Sequence, residues 1–111
     1  MIVSLDKIAY ARSGDKAGNS NVGIIFINTD IYNWAKKTIT VDLLKQYYKS
    51  VVLGKIVRFK LDNINALNFI LYDSLGGGGS ETLINDAQGK THAQLLLMME
   101  VDIPKELYEK I

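Results

Sequence analysis

Residues 91–103 carry the strongest secondary-structure pattern in the chain, because every odd-numbered residue from Ala93 onward is apolar. Most of the even-numbered residues between them are polar, and Leu96 and Met98 are the exceptions. Alternation with a period of two predicts a long β-strand that buries one face. Leu96 and Met98 would then form an apolar patch on the other face. An uncovered patch of this kind predicts a homo-oligomer, and the competing expectation is that a helix of the same chain covers it.

The segment before this strand predicts its partner. Residues 81–85 have strand character, and Gly89 lies in a turn-like DAQG sequence just before Lys90. A glycine that adopts positive φ is typical of tight turns, so we expect residues 81–85 and 90–103 to form a hairpin. The only histidine of the chain, His92, would lie near this turn on the solvated face.

The rest of the chain divides into strand-like and helix-like segments. Strands are predicted for residues 2–11, 22–28 and 55–61, and helices for 29–36, 40–51 and 63–75. Thr29 and Asp30 are the expected caps of the first helix, and Thr40 is the expected cap of the second. In the strand at 55–61, Val57, Phe59 and Leu61 alternate and are expected on the buried face. Sheet faces and helix stripes must cover each other. The order therefore predicts an α+β two-layer sandwich, with a mixed or antiparallel sheet of about five strands and two or three helices on one face.

Composition limits the function classes. The chain has 111 residues, 48% of them hydrophobic, which predicts a single domain over residues 1–111. A net charge of +1 without a basic block predicts no nucleic-acid partner. With no cysteine and one histidine, we expect no metal site and no cofactor. The absence of a signal peptide and of a long apolar run predicts a cytoplasmic protein with no membrane partner.

Residues 11–21, with the sequence ARSGDKAGNSN, form the first candidate site. This segment is predicted to be a loop in which backbone N–H groups around the glycines form an anion-binding nest and two cations assist. The alternative is a structured connection in which Asp15 pairs with Arg12 or Lys16, and the asparagines latch the loop. The candidate residues are Arg12, Ser13, Gly14, Asp15, Lys16, Asn19 and Asn21.

The second candidate segment contains four consecutive glycines, Gly76, Gly77, Gly78 and Gly79. One glycine suffices to end a helix, so the others indicate either a flexible tether or a backbone that must approach a ligand closely. Asn68, off the apolar stripe of the helix predicted before them, is a further candidate. We expect the charged residues of the first segment to share one surface with these glycines. No nucleophile–base pair is apparent from the sequence, so the catalytic residues are unknown.

Four blocks in this order resemble the small AtuA-like domain of the acyclic terpene utilisation family: ARSGDKAGNSNVGI, ALNFILYDSLGGGGS, DAQGK and LLLMMEVDIP. The resemblance extends over residues 5–104 and includes the candidate residues above. The chain departs from the family pattern at Ala17, where glycine is expected, and at Asp62, where proline often precedes the asparagine. The resemblance implies a ferredoxin-like fold and the standalone form of this domain.

The resemblance also implies a function in acyl-CoA or branched-chain catabolism, as a partner of a large AtuA-type protein, although it supplies no reaction. We therefore expect a non-catalytic small subunit. The alternatives are an independent binder of an anionic metabolite, such as a CoA thioester or a carboxylate, and a structural homo-oligomer.

Overall fold

A computed structural model describes residues 1–16, 19–48, 52, 54–73 and 90–111, without the side chains of residues 15, 16, 90 and 91. These described residues form six strands and four α-helices. The strands are β1 (Ile2–Ser4), β2 (Ala9–Lys16), β3 (Asn19–Phe26), β4 (Ile56–Leu61), β5 (Ala66–Leu71) and β6 (Glu100–Asp102). The helices are α1 (Thr29–Thr38), α2 (Val41–Tyr48), α3 (Lys90–Met98) and α4 (Lys105–Glu109).

Four strands form one antiparallel sheet in the order β2-β3-β5-β4, and β1 pairs separately with β6. The register of the large sheet places residues of all four strands in straight rows. One row contains Arg12, Gly23, Asn68 and Phe59, each beside the next. Residues in one row point to the same face, so the register decides which side chains can act together.

The hydrophobic core lies between the large sheet and the helices. Val22, Ile24 and Phe26 are buried on one face of β3, whereas Asn21 and Ile25 are exposed on the other. The buried residues of β3 and β5 form one cluster with residues of α1, α2 and α3. The protein is therefore an α+β two-layer sandwich with an antiparallel sheet, as the order of the elements predicts.

The predicted strand at 91–103 is wrong for most of its length. Lys90–Met98 forms helix α3, and only Glu100–Asp102 forms a strand. Buried positions in this segment include His92, Leu96 and Met99, which have the three- and four-residue spacing of a helix face. The apolar run at 95–99 satisfies both periods, and its leucines and methionines favour a helix. The predicted partner strand at 81–85 lies outside the described residues.

The helix predicted at 63–75 is also wrong where the structure describes it. Asp62–Ile64 forms a 3-10 turn, and Asn65 then adopts a left-handed conformation with φ 57°. Strand β5 follows, with Leu67, Phe69 and Leu71 fully buried. β5 pairs with β3 on one side and β4 on the other, so its conformation depends on partners distant in sequence.

Strand β4 is predicted correctly, but the predicted orientation of its faces is wrong. Ile56 is buried, and Arg58 donates hydrogen bonds to the carbonyls of Lys36 (2.8 Å) and Ile39 (2.9 Å), at the end of α1. Phe59 and Leu61 are exposed on the opposite face. The guanidinium group finds acceptors in the helix layer because the last carbonyls of a helix have no partner within the helix.

The first two helices confirm the predicted segments and show how their ends are capped. Asn28, and not Thr29 or Asp30, caps α1, because its Oδ1 accepts a hydrogen bond from the N–H of Ile31 (2.8 Å). Thr40 caps α2 as expected and accepts from the N–H of Leu43 (3.2 Å). The single strand predicted at 2–11 is wrong, because the 3-10 turn Leu5–Lys7 divides it into β1 and the start of β2.

Candidate functional site

The segment predicted as an anion-binding loop is a β-ladder. Residues 11–16 lie in β2, and they pair with residues 19–24 of β3 through the register from Ala11–Ile24 to Lys16–Asn19. An extended backbone directs successive N–H groups to opposite sides, so the nest expected around Gly14 is not formed by these residues. The predicted loop is therefore wrong for residues 11–16 and 19–21, while Gly18 lies outside the described residues.

The side of the large sheet away from the helices is the open face. Its described residues are Tyr10, Arg12, Gly14, Asn21, Gly23, Ile25, Val57, Phe59, Leu61, Ala66, Asn68 and Ile70. The described helices leave it uncovered: Tyr10 is 73% exposed, Phe59 48% and Ile25 45%. An exposed group of large apolar side chains on one face indicates an interaction site.

Five of the predicted site residues line a depression of about 330 Å³ on the open face, together with Gly23. These five are Arg12, Ser13, Gly14, Asn21 and Asn68. The Oδ1 atom of Asn68 lies 3.5 Å from the position that a β-carbon on Gly23 would take. Gly23 thus forms the floor of this depression, and its missing side chain leaves room above it for the longer groups beside it.

Three of these side chains keep their polar groups available. Arg12, Asn21 and Asn68 make no side-chain hydrogen bond or ion pair within the described part of the chain. Arg12 lies two strands away from Asn68, across Gly23, and Asn21 lies diagonally from both. Cross-strand neighbours on one face are close enough for long side chains to meet. This trio can therefore offer several N–H donors to one bound group.

Two other predicted residues have structural contacts. The Ser13 Oγ accepts a hydrogen bond from the Ala93 N–H (3.3 Å), which ties β2 to the first turn of α3. The Asn19 Oδ1 accepts from the N–H of Asp73 (3.0 Å), a residue with φ 53°. Asn19 thus ties the start of β3 to the turn after β5, and not residues 11–21 to themselves as the alternative for the asparagines expected.

A second, apolar depression of about 660 Å³ adjoins the polar one. Tyr10, Ile25 and Leu61 line it, and Arg12 and Gly23 line both depressions. Arg12 therefore stands at the boundary between a polar half and an apolar half of the open face. The sequence analysis missed the apolar half because it assigned Phe59 and Leu61 to the core.

Behind the open face, in the core, lies a polar cluster that the sequence also missed. The Oγ of Ser20 is 3.1 Å from Nδ1 of His92, and the Tyr48 hydroxyl donates to the His92 carbonyl (2.6 Å). His92 is 0% exposed and Ser20 is 1% exposed, so the prediction of a solvated histidine is wrong. The pair has the composition of a nucleophile and its base, but no substrate reaches it in this conformation.

A third cluster fixes the turn before β5 to α1. The Tyr32 hydroxyl donates to Oδ1 of Asp62 (2.6 Å), and Lys36 Nζ lies 3.5 Å from the same oxygen. Burial, followed by the bond to Asp62, raises the pKa of Tyr32 to about 12. The hydrogen bond from Tyr32 lowers the pKa of the Asp62 carboxyl. The cluster is structural, since it joins two elements and lies away from the trio.

The remaining predicted site residues lie where the structure gives no side chains. The backbones of Asp15 and Lys16 pair with Ser20 and Asn19, while their side chains are not described. The glycines at 76–79 lie outside the described residues, so a surface shared with the charged residues remains a prediction. Gly23 was missed, although a glycine within an apolar strand signals a close approach of another group.

Comparison with known proteins identifies the family. No described helix has both the length and the hydropathy needed to cross a membrane. No curated protein and no solved structure gives a significant match. The model of the AtuA ferredoxin-like domain matches residues 3–102, nearly the whole chain. The chain therefore belongs to the AtuA ferredoxin-like domain family.

Proposed function

We propose that the chain is a non-catalytic small subunit that docks through its open face on a large AtuA-type protein. The activity of that complex would belong to acyl-CoA or branched-chain catabolism. Within the complex this chain would supply binding surface, and the large protein would supply the reacting groups.

The observation that carries this proposal is the composition of the open face. Tyr10, Ile25 and Phe59 are exposed there together, and Arg12 lies among them. Aromatic, aliphatic and arginine side chains in one patch are typical of the centres of protein–protein interfaces. The described part of the chain leaves this surface in water, so a partner that covers it gains the free energy of apolar burial.

The buried polar cluster supports a non-catalytic role. Ser20 and His92 lie on the helix side of the sheet, and the core covers them from the solvent. A catalytic nucleophile must reach its substrate. The described polar side-chain groups of the open face are the amides of Asn21 and Asn68, the guanidinium of Arg12 and the hydroxyl of Tyr10. None of the described residues of that face is a histidine or a carboxylate that could activate this hydroxyl as a nucleophile.

An independent binder of an anionic metabolite is the second candidate function. It is favoured by the trio of Arg12, Asn21 and Asn68, which has no hydrogen-bonding partner among the described residues. A small carboxylate would occupy the polar depression alone and would leave Tyr10 and Phe59 exposed. The two functions therefore differ in whether the apolar half of the open face contributes to binding.

The test is the affinity of this chain for the large AtuA-type protein of the same organism, measured by calorimetry. Ile25→Gln and Phe59→Gln each remove an exposed apolar group from the open face, and each should weaken binding about 10- to 100-fold. Met98→Gln is the matched control, because Met98 is also a large exposed apolar residue (67%, against 48% for Phe59) but belongs to α3. Its affinity should equal that of the wild type.

Two outcomes would overturn the proposal. The first is a wild-type chain that shows no binding to the large protein at micromolar concentration. The second is binding that Met98→Gln weakens and Phe59→Gln leaves unchanged. Sedimentation of the free chain is measured alongside, because a homodimer that Phe59→Gln dissociates would assign the open face to a second copy of this chain.

A further inference from the structure

The open face carries one described charge, and it is positive. Arg12 is exposed, and no described carboxylate lies on that face or forms an ion pair with it. In contrast, Arg58 on the other face of the sheet is satisfied by two carbonyls at 2.8 and 2.9 Å. A guanidinium group and two amides that have no hydrogen-bonding partner among the described residues are together complementary to a group that only accepts hydrogen bonds.

The depression has room for a small planar acceptor. Gly23 provides the floor, Asn68 leans over it, and Arg12 borders it from the edge strand. The volume of about 330 Å³ admits a carboxyl group with its neighbouring carbons. A carboxylate carries a single negative charge and accepts a pair of parallel N–H bonds from arginine, so it matches both the charge and the fork of Arg12.

We infer that the trio of Arg12, Asn21 and Asn68 is a receptor for an aspartate or glutamate side chain of the docked partner. This inference rests on the proposed function, because it names the chemistry by which the partner is recognised. The partner's carboxylate is bound by the guanidinium of Arg12, and the NH2 groups of Asn21 and Asn68 donate to its remaining lone pairs. The Asn68 amide, whose Oδ1 faces Gly23 in the free chain, rotates to present its NH2 group.

The occupant is a side chain of a protein because the polar depression continues into the apolar one. Arg12 and Gly23 line both, so a carboxylate bound at Gly23 lies beside Ile25 and Leu61. An acidic residue flanked by apolar residues would fill both halves at once. The apolar contacts exclude water around the ion pair, and an ion pair shielded from water is stronger than one at a surface.

The test compares four chains in the calorimetric titration against the large AtuA-type protein. Arg12→Gln removes the charge and should weaken binding about 10- to 100-fold. Arg12→Lys keeps the charge but loses the planar fork, so its loss should be intermediate. Asn68→Asp changes an amide to a carboxylate of the same shape, which pairs with Arg12 and repels the partner's carboxylate. It should weaken binding at least tenfold.

A reversal experiment identifies the partner's residue. Each acidic residue on the surface of the large protein is replaced by arginine, and each variant is titrated with the Arg12→Glu chain. One replacement should restore much of the lost affinity and should weaken binding of the wild-type chain. The four variants Arg12→Gln, Arg12→Lys, Arg12→Glu and Asn68→Asp should keep the wild-type melting temperature, because Arg12 and Asn68 have no side-chain hydrogen bond in the described fold.

The outcomes separate this inference from the proposed function. If Phe59→Gln weakens docking while Arg12→Gln and Asn68→Asp leave it unchanged, docking stands and the carboxylate receptor is overturned. If none of the three affects docking, both are overturned. A third result also contradicts the inference: sodium acetate shifts the NMR signals of the Arg12 guanidinium in the free chain, acetamide does not, and Arg12→Gln docks normally. The site would then bind a free carboxylate.

Discussion

The side-chain oxygen of Asn68 lies over Gly23, 3.5 Å from the position of a β-carbon on that glycine. This separation is an ordinary van der Waals contact, so the folded chain has room for a methyl group there. A ligand group bound in the same space would collide with that methyl group. A substitution at Gly23 can therefore leave the fold intact and still block binding at this surface.

Gly23→Ala should stabilise the fold and weaken docking. Alanine reduces the conformational entropy of the unfolded chain, which raises the free energy of unfolding by about 0.4–1 kcal/mol where the backbone is compatible. The added methyl group fills the floor of the depression, so affinity for the large AtuA-type protein should fall. Urea unfolding and calorimetry measure the two effects. A variant that is more stable and docks as tightly as the wild type would contradict the placement of the site.

Gly54→Ala is the matched control for the glycine substitution. A β-carbon on Gly54 would lie 2.6 Å from the carbonyl oxygen of Tyr72, to which the Gly54 N–H donates a hydrogen bond of 2.9 Å. The backbone must shift to relieve this overlap, which costs about 1–3 kcal/mol. The two alanine variants should therefore change stability in opposite directions.

Of the two described arginines in the large sheet, Arg58 should stabilise the fold, whereas Arg12 should contribute to docking. Arg58→Gln removes a donor from two carbonyls at the end of α1 and should lower the free energy of unfolding by about 1–3 kcal/mol. Arg12→Gln should change it by less than about 0.5 kcal/mol, because Arg12 has no partner within the described chain. Chemical denaturation of both variants measures the difference. Equal losses would show that Arg12 is a structural residue.

Ser20→Ala should destabilise the protein and leave docking unchanged. The substitution removes the buried hydrogen bond between Ser20 Oγ and His92 Nδ1, at a cost of about 1–3 kcal/mol. A fluorophosphonate reagent tests the absence of catalysis at this pair. We expect no labelling of the native wild-type chain, because Ser20 is buried. Labelling that disappears in Ser20→Ala would show an accessible, activated serine.

The bond between Tyr32 and Asp62 predicts a pH-dependent stability difference between the wild type and Tyr32→Phe. The carboxyl pKa of Asp62 is lowered from 3.8 by this bond, so the stabilisation is present above pH 3.8 and is lost as the pH falls through the lowered value. The pKa of Tyr32 is raised from 10.0 to about 12. Stabilisation by the neutral phenol is therefore complete below pH 10 and is lost as the pH approaches 12.

Urea unfolding at several pH values measures this difference. The wild type should be more stable than Tyr32→Phe at neutral pH, and the gap should narrow toward both extremes. A gap that is constant from pH 2 to pH 7 would show that the phenol stabilises by packing alone.

Local sequence patterns correctly predict the helices and strands that are specified by residues close to one another in the sequence. The capping signal at Thr40 and the apolar run of β3 identify α2 and a central strand. The patterns fail at Lys90–Met98, a helix where alternation predicts a strand, and at Ala66–Leu71, a strand where the apolar spacing predicts a helix. In both segments the tertiary partner decides: α3 packs on β2 and β3, and β5 completes the ladder between β3 and β4.

The candidate site was also predictable only where its residues are close together in the sequence. Arg12 and Asn21 lie in one polar segment, so composition alone brings them together. Asn68 joins them only through the pairing of β5 with β3, which is a non-local contact. The apolar half of the open face was not predicted because the alternation in β4 was assigned to the wrong face. In a strand, a shift of one residue exchanges the buried and exposed faces.

Hydroxyl-radical footprinting of the complex with the large AtuA-type protein tests the docking surface most directly, because the oxidation rate of a side chain follows its exposure. Tyr10 and Phe59 report on the open face, and Met98, which is 67% exposed on α3, reports on the helix side. We predict that complex formation slows oxidation of Tyr10 and Phe59 severalfold and leaves Met98 unchanged. Protection of Met98, with Tyr10 and Phe59 oxidised as fast as in the free chain, would contradict docking through the open face.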